Sequence, residues 1–154
     1  MKFLILCFNK ISKEYKEIYE FYINKIKKFC NIEVIEIEEE FFSDSKKNMK
    51  INEDNLIKKL KNYKDFEMHL LEINTKQYDS LSFSKIVEQN KDFNNGKIGF
   101  IIGPSDGFSV DFKNKIAKKL SFGLLTMPHL LVRIILLEQI YRAFKIIRNE
   151  TYHK

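Results

Sequence analysis

The chain has 154 residues, 44% of them hydrophobic and 31% charged, which fits one domain with a substantial core and excludes both a disordered chain and a membrane-embedded one. Its net charge of +6 and pI near 9.1 suit a polyanionic partner such as RNA without requiring one. Of its 27 basic residues only Arg133, Arg142 and Arg148 are arginines, all in the last quarter; in a chain that uses Lys so freely, a retained Arg suggests a need for the planar guanidinium fork.

Lys2 to Phe8 is an apolar run that fits a buried strand; it lacks a full signal-peptide core and a small-residue cleavage site. From Ser12 to Phe29 apolar residues recur at helical spacing, with Ser12 able to cap the start. Asn31 to Glu38 reads as a strand whose alternation slips once, at Val34-Ile35. The acidic and polar stretch from Glu38 to Glu53 is expected to include a mobile loop, and Asp54 to Tyr63 a helix. Phe66 to Ile73 is a third strand, and a helix runs from Ser80 or Ser82 to about Gln89. Lys97 to Gly103 is a fourth strand and Val110 to Lys119 a helix. Ser121 to Met127 is a fifth strand or an extended loop, and Leu130 to Ile147 a long last helix. This order predicts a single α/β domain over residues 1–154, with a mainly parallel sheet flanked by helices.

No segment reaches transmembrane length. Cys7 and Cys30 form no CxxC pair, so reduced thiols in the cytoplasm are expected. His69, His129 and His153 lack zinc-ligand spacing, and no metal site is expected. The last helix is apolar nearly all round and must be buried on most faces. A second subunit is the expected cover, giving a homodimer through this helix; burial within one chain is the alternative.

All five glycines and both prolines lie between residues 96 and 128. Backbone that turns tightly or admits close approach is therefore concentrated in and after the fourth strand, where ligands bind in a parallel sheet. Gly103-Pro104-Ser105-Asp106-Gly107 follows a strand and precedes a helix but lacks both GxGxxG and the GK[ST] of a P-loop. Leu120 to His129, apolar and broken by Gly123 and Pro128, can line an apolar pocket or be an ordinary core strand with a turn.

Met127-Pro128-His129, Arg133, the run Glu138 to Ile146 and the closing Tyr152-His153-Lys154 together resemble the signature of the RlmH family of SPOUT-class methyltransferases. The resemblance extends upstream through Gly107, Gly103 and Leu71-Glu72-Ile73 and covers essentially the whole chain. It implies a single SPOUT domain with a C-terminal trefoil knot, a homodimer, and S-adenosylmethionine bound at Leu71, Gly103, Phe122, Gly123, Leu124, Leu125, Thr126 and Met127. It implies a C-terminal tail donated toward the partner's cofactor site, with His129, Arg133, Tyr152 and Lys154 holding substrate. The implied substrate is N3 of a pseudouridine in 23S ribosomal RNA, reached on assembled ribosomes. Arg142 would favour loss of the imide proton, and His153 would accept it. The sequence departs from the family's usual Gly-Gly at Gly103-Pro104, where proline removes a backbone donor. Two other functions compete: a non-enzymatic ribosome-binding or assembly factor on the same scaffold, and a methyltransferase of this class that acts on transfer RNA.

Overall fold

Strand β1 (Lys2–Phe8) is buried at every position after Lys2, as befits a central strand of a parallel sheet covered on both faces. The computed structural model describes residues 1–152. After β1 come α1 (Lys13–Ile26), β2 (Asn31–Ile37), α2 (Ser45–Leu60), β3 (Glu67–Leu71), α3 (Ser80–Phe93), β4 (Lys97–Ile101), α4 (Val110–Lys115), β5 (Lys118–Leu120) and α5 (His129–Ile147). The strands pair in the order β2-β1-β4-β3-β5, each pair parallel. Successive strand residues face opposite sides. Phe3, Ile5 and Cys7 therefore pack with Ile26 of α1, Phe83 and Val87 of α3, and Leu136, Leu137 and Ile140 of α5. Leu4, Leu6 and Phe8 pack with Leu56 of α2 and Phe112 of α4 on the other face.

That two-sided cover explains the apparent slip in β2. Ile32 and Val34 pack on the α1/α3/α5 face, while Ile35 packs on the α2/α4 face beside the buried Ile37. The alternation is strict; apolar residues occur on both sides because both sides are covered. Glu33 and Glu36 take opposite faces too, Glu33 accepting from the Tyr63 hydroxyl at 2.9 Å and Glu36 pairing with Arg133 at 2.7 Å.

Residues 45–53, part of the stretch expected to include a mobile loop, are the first turns of α2. Asp44 caps it by accepting from the N–H groups of Lys46 and Lys47. Its buried stripe is Asn48, Asn52 and Leu56; two of three members are polar, so the helical period carries no hydrophobic signal. The helix expected to run to Lys119 ends at Lys115, and Lys118–Leu120 instead pair with β3. Residues 121–127 are then the extended loop rather than a strand, and Ser121 makes an isolated parallel bridge to Gln77, outside the five strands. The apolar α5 is covered largely from within the chain, against α1 and α3, and buries eight residues including Arg133.

Candidate functional site

The C-terminal ends of β3 and β4 open into a cleft of about 770 Å³, in the size range of small-molecule sites. Leu71, Glu72 and Ile73 form one wall and the loop Ile102 to Phe108 another. Residues 121–123 and 125–129 close it, bringing the start of α5 to its rim. The walls are mostly apolar side chains and main chain.

The two loops get their shape from glycine. A Cβ at Gly103 would lie 3.2 Å from the Phe108 ring, a tight contact that the ring would have to yield to by a few tenths of an ångström. Beyond it, the Pro104 carbonyl accepts from the Gly107 N–H at 2.9 Å, with Gly107 at φ +70°. Gly123 has φ +137°; its N–H donates to the Ser121 hydroxyl, which donates back to its carbonyl, at 3.1 and 2.9 Å.

Three side chains from outside hold the loop after β4. Glu39 accepts from the Ser105 N–H at 2.7 Å. Asn48 donates to the Asp106 carboxylate at 2.7 Å, and Glu53 accepts from the Ser109 N–H. Glu39 is itself fixed by Asn9, whose side chain donates to its carboxylate at 2.8 Å and accepts its N–H at 3.1 Å. Thus the ends of β1 and β2 and the first half of α2 pre-set the loop, and with Pro104 the Ser105 N–H is already engaged.

His129 sits half-buried at the rim. Burial pushes its pKa below the usual 6.5, Arg133 pushing the same way and Glu39 opposing; the ring is neutral at neutral pH and able both to donate and to accept. Glu72 in the cleft wall pairs with Lys113 at 2.7 Å.

Of the positions expected at the site, Leu71, Gly103, Phe122, Gly123, Leu125, Thr126, Met127 and His129 line this one cleft. Leu124 stands beside them, 69% exposed, without lining it. Arg133, expected to hold substrate, is instead wholly buried. Its guanidinium donates to the carbonyls of Phe8 and Asn9 at 2.8 Å each and to Glu36 at 2.7 Å. Its planar fork joins the end of β1 to β2, and a side chain so enclosed is placed to hold the fold and not to contact substrate.

Arg142 donates to Glu138 at 2.9 and 2.6 Å and lies over the Tyr152 ring, 4.9 Å from its centroid. The Glu138 bond raises its pKa further. Tyr152 packs on Tyr141 at 4.9 Å. This cluster sits thirteen residues along α5 from His129, roughly 20 Å at the helical rise, so one chain does not bring Arg142 or Tyr152 to its own cleft. His153 and Lys154 lie outside the described residues. Among the described residues no group of three or more His, Cys, Asp or Glu could hold a metal, and no helix is long and apolar enough to cross a membrane.

Sequence reasoning missed Asn9, Glu39, Asn48 and Glu53. Glu39 is the middle of three glutamates, and nothing in linear order distinguishes it; only the left-handed backbone of Asn9, φ 60°, is a feature that asparagine itself hints at.

Comparison with known proteins gives the site its context. Residues 1–153 match a family model described as predicted SPOUT methyltransferase. The chain is 47% identical over 155 residues to a ribosomal RNA large subunit methyltransferase H of Mesoplasma florum, with both chains covered completely. It is 44% identical over 155 residues to the protein of that name in Mycoplasma capricolum, and 35% over 162 residues to that of Clostridium botulinum, again with complete coverage of both chains.

Proposed function

This chain belongs to the SPOUT methyltransferase family, and from that premise we propose that it methylates N3 of a pseudouridine in 23S ribosomal RNA, on assembled ribosomes in the cytoplasm, with S-adenosylmethionine as donor. The observation that carries the reading is the cleft: eight positions that the family resemblance assigns to donor and substrate converge on it from three separate parts of the chain. Its chemistry suits the donor. Apolar walls at Leu71, Ile102, Phe122 and Met127 would hold an adenine ring, and main-chain groups of the 121–127 loop would meet its polar edges.

Bound there, S-adenosylmethionine supplies a methyl group already activated on a sulfonium. What remains for the protein is placement and the acceptor's proton. Holding acceptor and donor in line removes much of the entropic barrier. The N3 imide must lose its proton, and a neighbouring cation favours the anion. Arg142 is that cation in this reading, held in one orientation by Glu138; His153 accepts the proton. His129, neutral at the rim, orients the base, with Tyr152 and Lys154 holding the surrounding nucleotides.

The separation of Arg142 from its own cleft supports a homodimer in which α5 and the tail of one protomer complete the partner's site. The C-terminal trefoil knot belongs to the same reading, supported by a chain that leaves the cleft loops and packs back across α1 and α3 as α5.

The test is methyl transfer from labelled donor to ribosomes lacking the modification, with free 23S RNA and transfer RNA in parallel. Label confined to 23S RNA of intact ribosomes is the expected result. Label in transfer RNA would move the enzyme to another substrate, and no label from a folded dimer would leave a binding factor.

A further inference from the structure

The segment that follows β2 is extended, exposed and held with unusual care. The Glu40 N–H donates to the side-chain oxygen of Asn52, whose amide donates back to the Glu40 carbonyl, both at 2.9 Å. Two residues on, the Phe42 N–H donates to Asn48 at 2.7 Å and the Asn48 amide donates to the Phe42 carbonyl at 2.8 Å. Asn48 and Asn52 are 1% and 0% exposed and one helical turn apart on α2, so they grip alternate residues as a neighbouring strand would. Burying two amides requires that their hydrogen-bonding groups be met; here the polar stripe of a helix is spent on fixing a surface segment that no strand covers.

What the segment presents is aromatic. Phe41 is 69% exposed and Phe42 46%. Lys47 reaches over the Phe42 ring at 4.7 Å, and Lys46 and Lys50 are exposed on the same first turns of α2. Of the acids nearby, Asp44 caps α2 and Glu39 is held between Asn9 and Ser105, while Glu38 and Glu40 precede the rings in the chain, so the lysines and not the net charge of the segment are what would meet phosphate. Through Glu39 to Ser105 and Asn48 to Asp106 the segment is tied directly to the lip of the cleft.

Resting on the proposed function, we propose that Phe41, with Phe42 and Lys47, forms a rigid stacking platform for an unpaired nucleotide of the ribosomal RNA next to the methylated base. Exposed rings beside lysines fit an RNA strand, since every base offers a face to stack on and lysines meet its phosphates. Pre-fixing the main chain that carries the rings removes much of the ordering cost that a mobile loop would incur on binding.

The experiment measures ribosome affinity by co-sedimentation, and methyl transfer separately, for the full-length protein and for Phe41→Ala and Phe41→Trp. Donor affinity by calorimetry, thermal unfolding and oligomeric state are measured on each. Phe41→Ala is expected to weaken ribosome binding on the order of tenfold and to raise KM rather than lower kcat. Phe41→Trp is expected to restore binding, which a merely structural role would not do. Ribosome binding by Phe41→Ala equal to wild type overturns the platform while leaving the proposed function intact. An altered oligomeric state would assign the rings to a second copy and also overturn it. Wild-type protein that binds ribosomes in a Phe41-dependent way without transferring methyl overturns the proposed function alone.

Discussion

Replacing Arg133 with Met separates a structural arginine from a substrate-binding one. Methionine fills much of the same volume, so the loss is that of the guanidinium's bonds rather than of packing. Two main-chain carbonyls, Phe8 and Asn9, lose a charged donor, while Glu36, with 27% of its side chain exposed, can regain water. Breaking a buried charged network from one side costs about 3–5 kcal/mol. Arg133 Nε is buried and has no partner among the described residues, so the lower end, about 3 kcal/mol, is expected. Against a total of about 5–15 kcal/mol this is large, and it corresponds to a midpoint shift on the order of 1–2 M urea. The chain has no Trp, so far-UV circular dichroism is the convenient probe. Arg148→Met, whose side chain is 55% exposed and lies over Phe29, is the control and should cost under about 1 kcal/mol. If Arg133→Met unfolds at the wild-type urea midpoint yet loses methyl transfer, the structural assignment is wrong and Arg133 serves the substrate.

Other outcomes follow from the same structure. His69 is 4% exposed, and its burial lowers its pKa below 6.5, more than the bonded Glu67 can offset. The unfolded chain therefore binds the proton first, and the stability His69 contributes is complete above about pH 6.5 and lost as pH falls through its native pKa; urea titrations from pH 7.5 to 5 should show a shallower loss for His69→Gln than for wild type. Gly103→Val sets a side chain against the Phe108 ring, and calorimetry should show donor affinity reduced at least on the order of tenfold while the far-UV spectrum is kept. Cys7 and Cys30 have pKa values pushed up to about 12 by burial; a thiol reagent at pH 8 should label both far more slowly in the native protein than in urea.

Most of the fold was legible because its strands are apolar runs covered on both faces and its helices carry apolar stripes. The second half of α2 was legible within the helix expected over 54–63, but its first turns were hidden by the asparagines at buried positions, whose partners, Glu40 and Phe42, become visible only when the chain is folded. β5 was hidden because an edge strand of three residues containing Lys118 and Lys119 has no apolar signature. The cleft was legible through glycine and proline, which mark unusual backbone in linear order. Arg133 was singled out correctly as needing its fork but given the wrong partner, since main-chain carbonyls 124 and 125 residues away leave no trace in local sequence. The braces of the cleft loop were illegible for the same reason.

The most direct test of a site shared between two protomers is a mixing experiment. Arg142→Ala and Gly103→Val, assayed at a donor concentration too low to fill the weakened Gly103→Val cleft so that each is nearly inactive alone, are co-expressed with different tags so that dimers re-pair at random. A heterodimer then holds one doubly defective site and one intact site, and the mixture should recover about a quarter of wild-type transfer to ribosomes. Heterodimers that form and remain as inactive as either parent would place Arg142 and the cleft in the same protomer and contradict the shared site.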